Sequence, residues 1–215
     1  MAPFVWHGFD VRGMLPEKWR EELLTIADAY AQEKMLVPTS LTSREAEGTP
    51  PIKSVTVPGN ILAEQAPWLL STYHGPFRDL GQRVSHERLS TARDDLYGAV
   101  LNIQYGTDMR YECHVDSNPL QGLLYVTDHP QGDGGELVVG HDPAAHSVPE
   151  VDADCSVIHP VAGHLLFFDA RQHPHYVRAL TRPDARRVVV AMNFYTPTSP
   201  ETQRPTDLND HLFAT

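Results

Sequence analysis

The chain has 215 residues, 41% apolar and 21% charged, with a formal net charge of −11. That is enough to bury one core as a single domain, and too acidic, with no Lys/Arg cluster beyond pairs such as Arg186-Arg187, to favour a nucleic-acid or anionic-membrane partner. No apolar run approaches the roughly 20 residues that span a bilayer, the opening Met1-Ala2-Pro3-Phe4 lacks a signal pattern, and two cysteines, Cys113 and Cys155, provide neither a disulfide framework nor a four-cysteine zinc site; a cytoplasmic protein acting on a small molecule or another protein is expected.

The first half reads helical. After Pro16, a good first-turn residue, Trp19, Leu23, Ile26 and Tyr30 recur at helical spacing alongside the polar Glu17, Lys18, Glu21 and Glu22, giving a helix with one buried face. Residues 36–58 carry Pro38, Gly48, Pro50, Pro51 and Pro58 without periodicity and read as a long loop, a lid or a plain surface loop, with a short strand at Ser54-Val55-Thr56-Val57. Asn60 is placed to cap a second helix through Leu62, Ala66, Leu69, Leu70 and Tyr73, and a third helical piece is expected around 76–95.

After Asp95 the texture changes to short strands near 97–105, 110–116, 121–127, 136–139, 155–158, 164–168, 175–180 and 187–195. Turn residues separate them: Gly106, Pro119, Gly132-Asp133-Gly134-Gly135, Pro143, Pro160, Gly163, Pro174 and Pro183. Strands at this spacing following helices indicate a jelly roll or barrel with helices outside it. The acids of 128–154 lack calcium-loop spacing and read as a solvated loop. The expected organisation is a helical and lid segment at 1–96, a β core at 97–197, and a polar strap at 198–215 with a short turn at Asn209–Phe213.

Within the core, His114-Val115-Asp116 puts an imidazole and a carboxylate on one face of a strand. Chance supplies about one His-x-Asp triplet in such a composition, so the triplet alone carries little weight. A distant histidine completes a two-histidine, one-carboxylate set, which suits non-haem Fe(II) because it leaves coordination positions open. His173 and His175 share strand parity. Pro174 donates no ladder hydrogen bond and belongs at or before a strand start, which makes His175 the first placed strand residue and leaves His173 in the turn, at the pocket rim. On the triplet's strand Arg110 and Glu112 share parity with His114, and on the last strand Asn193 shares parity with Arg187; these polar groups suit a small zwitterionic or charged substrate.

The run from Tyr105 through His114 and Asp116, then Leu123-Leu124-Tyr125-Val126, Gly134-Gly135-Glu136-Leu137, Pro160 to Phe168, His175-Tyr176-Val177 and Arg187 to Phe194, resembles the 2-oxoglutarate/Fe(II)-dependent oxygenases, nearest to the prolyl-hydroxylase-like and small-molecule, amino-acid-modifying branches. The resemblance covers roughly residues 97–197. It implies a double-stranded β-helix (jelly roll), mainly β with N-terminal helices. It also implies Fe(II), 2-oxoglutarate as cosubstrate and O2, with ascorbate as a further candidate, and a hydroxylation coupled to decarboxylation of 2-oxoglutarate to succinate. Carried over residue by residue, it gives His114, Asp116 and His175 as iron ligands. Arg187 becomes the receptor of the cosubstrate's distal carboxylate, a task for which its planar fork is suited, and Tyr125 and Tyr105 become hydroxyl contacts to the cosubstrate. Related halogenases leave the Asp116 position to chloride, so hydroxylation is the expected outcome here.

The expected substrate is a small amino-acid-like metabolite, with Glu112, Arg110 and Asn193 as its contacts. The alternatives are a prolyl-type protein hydroxylase and a cupin-like, non-redox metal-binding protein; the latter has no use for an arginine at the depth of Arg187.

Overall fold

Most core strands are buried on both faces, because one face of the larger sheet packs on helices and the other on a second sheet. The computed structural model describes residues 5–38 and 42–213. Its strands are β1 (Trp6–Asp10), β2 (Gln32–Leu36), β3 (Ile52–Val57), β4 (Ser90–Thr91), β5 (Ala99–Tyr105), β6 (Tyr111–His114), β7 (Leu120–Tyr125), β8 (Leu137–Gly140), β9 (Cys155–Ile158), β10 (His164–Phe168), β11 (His175–Val177) and β12 (Arg186–Tyr195). The larger sheet runs β1-β10-β7-β12-β5-β3-β2, with β4 beside β12, and the smaller runs β6-β11-β8-β9. The pairings are antiparallel, and the two sheets form the double-stranded β-helix, the jelly roll expected from the sequence.

Register sorts the larger sheet's side chains. Leu101, Ile103, Val188, Val190, Leu124 and Phe167 face outward into a core shared with Leu23, Ile26 and Ala27 of helix α1 (Trp19–Tyr30). The alternate residues Leu123, Tyr125, Val189, Ala191 and Phe168 face inward, onto Leu137, Val139 and Val177 of the smaller sheet. The functional cavity opens within this second layer.

The helical reading of the first half holds for α1 and needs correction after it. The expected second helix is broken at Ala66 into α2 (Gly59–Gln65) and α3 (Pro67–Thr72), because Pro67 starts a new first turn. Asn60 is not its cap; Pro58 occupies that position and Asn60 lies inside the first turn. Residues 76–95 are only partly helical: a π turn at Tyr73–Phe77 leads into α4 (Arg78–Gln82), and β4 follows before α5 (Asp95–Gly98), which Asp94 caps. The acidic stretch before β9 contains α6 (Val148–Ala153), capped by Ser147. The C-terminal strap ends in α7 (Leu208–Leu212). Most of segment 36–58 is pinned rather than free: β3 is an internal strand of the larger sheet between β2 and β5, and Arg44 N donates to Cys113 O. Residues 39–41 of that segment lie outside the described residues.

The glycine run before β8 is a steric requirement. Gly134 has φ +76°, and a Cβ there would sit 2.2 Å from Ala179 O. Gly134→Ala is expected to destabilise the fold by about 1–3 kcal/mol from its backbone conformation alone, with the clash adding to it; a chemical-denaturation midpoint measures the loss.

Candidate active site

β6 and β11 lie side by side with His114 opposite His175, so the two imidazoles meet, ring centroids 4.6 Å apart. The chain leaves β6 after His114, and Asp116 N donates to Ala170 O, which holds the carboxylate against both rings. Asp116 Oδ1 is 3.1 Å from His114 Nε2 and Oδ2 is 3.9 Å from His175 Nε2. One donor atom from each of the three residues lies within 4.8 Å of the others, a spacing that could hold a metal ion.

Both rings are oriented from behind, as metal-binding histidines usually are. His114 Nδ1 bonds Glu112 O at 2.7 Å and His175 Nδ1 bonds His173 O at 3.0 Å, leaving Nε2 of each for the cavity. Burial pushes the His175 imidazole down to about 4, helped by the nearby His114. Burial acts the same way on His114 but is overcome by its hydrogen bond to Asp116, which pushes it up to about 9. Burial would raise Asp116, yet the two histidines hold it below the usual carboxylate range. A buried carboxylate that draws a proton onto its neighbour is equally a site that attracts a cation.

The choice between the downstream histidines follows the strand start. His175 opens β11 and faces Asp116. His173 is not at a rim, as the sequence reading had it: it is 2% exposed, outside the cavity lining, and its Nδ1 bonds Gly140 O at 2.8 Å.

The cavity has a volume of about 240 Å³ and is lined by His114, Asp116, His175 and Arg187 among others. Arg187 is 1% exposed, yet Nε and Nη2 have no hydrogen-bond partner, and no carboxylate among the described residues is within ion-pair distance of it. Burying an unpaired guanidinium costs several kcal/mol, a cost that an anion reaching it would offset. Its stem has room because Gly135 lacks a Cβ, which would come 3.0 Å from Arg187 Cδ. Tyr125 lies beneath it, ring centroid 5.6 Å from the guanidinium carbon, its hydroxyl buried without a hydrogen bond of normal geometry and its acidity reduced by burial. The donor set and the unsatisfied arginine together fit a divalent iron with a dicarboxylate cosubstrate.

The other sequence candidates divide. Glu112 and Asn193 line the cavity; Asn193 Nδ2 donates to Tyr97 O at 2.7 Å. Tyr105 does not. It is 38% exposed and pairs with Arg186 at the end of β5, on the outward parity of Leu101 and Ile103. Arg110 lies just before β6, where strand parity no longer applies, and is outside the lining: Nη1 and Nη2 donate to Glu45 at 2.6 and 2.9 Å. Arg186, beside Arg187 on β12, pairs with Asp28. Sequence reasoning missed Asn102, on the inward parity of β5, and Gln121, on β7 opposite Asn193. With its amide turned to donate, Gln121 reaches Asp116 Oδ2 at 3.1 Å and Asn193 Oδ1 at 2.7 Å. Register alone reveals both.

Glu45 ties the 42–50 loop to β6, because its Oε1 also accepts from Cys113 N at 2.7 Å. Burial raises its pKa, but Arg110 and the Cys113 amide outweigh that and leave it below the ordinary glutamate range. A carboxylate more acidic folded than unfolded stabilises the fold at neutral pH and loses that contribution as pH falls through its folded pKa. Glu45→Gln is therefore expected to cost about 1–3 kcal/mol at pH 7, with the gap to wild type closing on acidification below the ordinary glutamate range; thermal melts across pH check this.

Residues 101–195 match the model of the 2OG-Fe(II) oxygenase superfamily. No curated protein matches the sequence. Solved structures share the fold at low identity. A 2OG-Fe(II) oxygenase family oxidoreductase from Burkholderia pseudomallei is 10% identical over 93% of this chain and 89% of its own, with TM-score 0.63. HygX from Streptomyces hygroscopicus, with nickel and 2-oxoglutarate bound, is 11% identical over 90% and 84%, with TM-score 0.60. A prolyl hydroxylase from Trichoplax adhaerens, in complex with a hypoxia inducible factor peptide, is 15% identical over 90% and 84%, with TM-score 0.54. No helix among the described residues is long and apolar enough to cross a membrane. The matched span, the fold and the three-residue donor set all agree: the β core of this chain, residues 101–195, is that of the 2OG-Fe(II) oxygenase superfamily model.

Proposed function

We propose that this oxygenase hydroxylates a C–H bond of a small amino-acid-like metabolite, with His114, Asp116 and His175 holding Fe(II) and Arg187 receiving the distal carboxylate of 2-oxoglutarate over Tyr125. Fe(II), 2-oxoglutarate and O2 together supply the oxidising chemistry: R–H, 2-oxoglutarate and O2 become R–OH, succinate and CO2. The protein's part is positional. Arg187 fixes the cosubstrate's far end through charge-assisted hydrogen bonds, the inward residues Leu123, Val189 and Leu137 exclude water from its carbon chain, and Gln121 takes up one oxygen of Asp116.

The observation that carries the reading is the buried guanidinium of Arg187, unpartnered at Nε and Nη2, in the same cavity as a two-histidine, one-carboxylate set. A small molecule is favoured over a peptide by the cavity's volume of about 240 Å³, below the roughly 300–1,000 Å³ of sites enclosing drug-sized ligands. The C-terminal strap also crosses this side, where Lys34 Nζ donates to the carbonyls of Asp210 and Phe213. Incubating the iron-loaded protein with 2-oxoglutarate and separate panels of small amino-acid-like molecules, both free amino acids and their amide and decarboxylated forms, and of proline-containing peptides tests it: succinate formation stimulated by a small molecule is expected, and stimulation by peptides alone contradicts it.

A further inference from the structure

The charges facing the cavity can be accounted for one at a time. Its charged lining residues, besides the two histidines, are Lys53, Glu112, Asp116 and Arg187. Asp116 lies against the two histidines, and Arg187 is the anion receptor of the reading above. Lys53 is already paired, its Nζ 2.7 Å from Glu33 Oε1. Glu112 remains: its Oε1 is buried and has no hydrogen-bond partner, and Arg110, two residues earlier, has both terminal nitrogens on Glu45. A carboxylate oxygen shut away from water without a donor is costly unless a cation arrives to meet it.

The position of Glu112 is fixed by the metal site, since its own carbonyl holds the His114 ring. Ser54, Thr56 and Asn102 bring hydroxyls and an amide from β3 and β5 to the same cavity. These can accept the protons of an ammonium that a single carboxylate leaves over. Leu36, Ile52, Leu208 and Phe213, from the β2–β3 hairpin and the strap, add an apolar wall.

Resting on the reading of Arg187 and the three ligands given above, we propose that the substrate is a small cationic amine with a hydrocarbon body and no free carboxylate, bound with its nitrogen on Glu112. The lining offers a free carboxylate for an ammonium and no free cation for a second carboxylate once 2-oxoglutarate is seated. This narrows the amino-acid-like class to amines whose acid group is absent or masked.

The test uses matched carbon skeletons that differ only in charge: 4-methylpentylamine, leucine and 4-methylpentanoate, with a second series of phenethylamine, phenylalanine and 3-phenylpropanoate. Binding is measured by calorimetry on the Mn(II)-loaded protein saturated with 2-oxoglutarate, so that no turnover occurs. In at least one series the amine is expected to bind best, and the preference should fall roughly ten- to a hundredfold in Glu112→Gln, the loss expected of one charge-assisted contact. Glu112→Asp, which keeps the charge, should retain a preference for the amine and distinguishes charge recognition from damage to the fold. Acids binding as well as amines, no amine binding in either series, or an amine preference that survives Glu112→Gln overturns the proposal. Cosubstrate binding is read separately in the same preparations: if 2-oxoglutarate fails to bind the metal-loaded wild type, the underlying reading fails, whereas normal cosubstrate binding without amine preference removes only the role of Glu112.

Discussion

Replacing His175 by alanine is expected to abolish tight Fe(II) binding and turnover, while His173→Ala keeps both. The two residues are alike in composition and burial, 6% and 2% exposed, and lie two positions apart. Of the two, only His175 presents Nε2 to Asp116 and lies with its ring centroid 4.6 Å from that of His114. Mutating a residue that merely orients a ligand costs about 10–100-fold in metal affinity, so loss of the ligand itself should exceed that. His173→Ala removes the side-chain partner of a buried carbonyl, Gly140 O, which is expected to lower stability by about 1–3 kcal/mol without removing a donor. Equilibrium dialysis with Fe(II) and denaturation curves on the two variants separate the effects: one variant loses metal and the other loses stability. Normal iron affinity in His175→Ala would mean that the register assigned to β11 is wrong.

The second large effect is expected at Arg187, where cosubstrate affinity and stability should move in opposite directions. Arg187→Met removes a bidentate partner for a carboxylate, a loss of about 1.5–3 kcal/mol or roughly ten- to a hundredfold in affinity for 2-oxoglutarate. Without cosubstrate, however, the wild-type protein carries a guanidinium that is 1% exposed and unpartnered at Nε and Nη2. Replacing such a charge with an apolar side chain of similar length is often neutral or stabilising. The variant should therefore melt at or above the wild-type temperature without 2-oxoglutarate and gain less when it is added. A variant that melts well below wild type in both conditions would identify Arg187 as a structural residue.

The β core was legible because its strands are short apolar runs cut by Gly and Pro, and the expected strands from 155–158 and 164–168 coincide with β9 and β10. The strands that escaped lie mostly at edges. β1 (Trp-His-Gly-Phe-Asp) and β2 (Gln-Glu-Lys-Met-Leu) are outermost in their sheet, where exposed faces and charged residues erase the apolar signal. The second helix was misread because apolar spacing runs through Ala66-Pro67 while the backbone breaks there. In the site, His114 and Asp116 form a local pattern and could be read directly. Arg187 needed the family resemblance, and its unmet hydrogen bonds are visible only in the folded chain. Alternation was reliable only inside a strand. It failed for Arg110, which precedes β6, and β5 parity put Asn102 rather than Tyr105 inside.

The most direct measurement is an anaerobic titration of the Fe(II)-loaded protein with 2-oxoglutarate, followed by visible absorption. A keto acid chelating iron through two oxygens gives a weak charge-transfer band. The band is expected in the wild type, saturating at one cosubstrate per iron, absent in His175→Ala, and shifted to roughly ten- to a hundredfold higher 2-oxoglutarate in Arg187→Met. No band in the wild type, or an unchanged dissociation constant in Arg187→Met, would contradict the assignment of this cavity as the site where iron and 2-oxoglutarate meet.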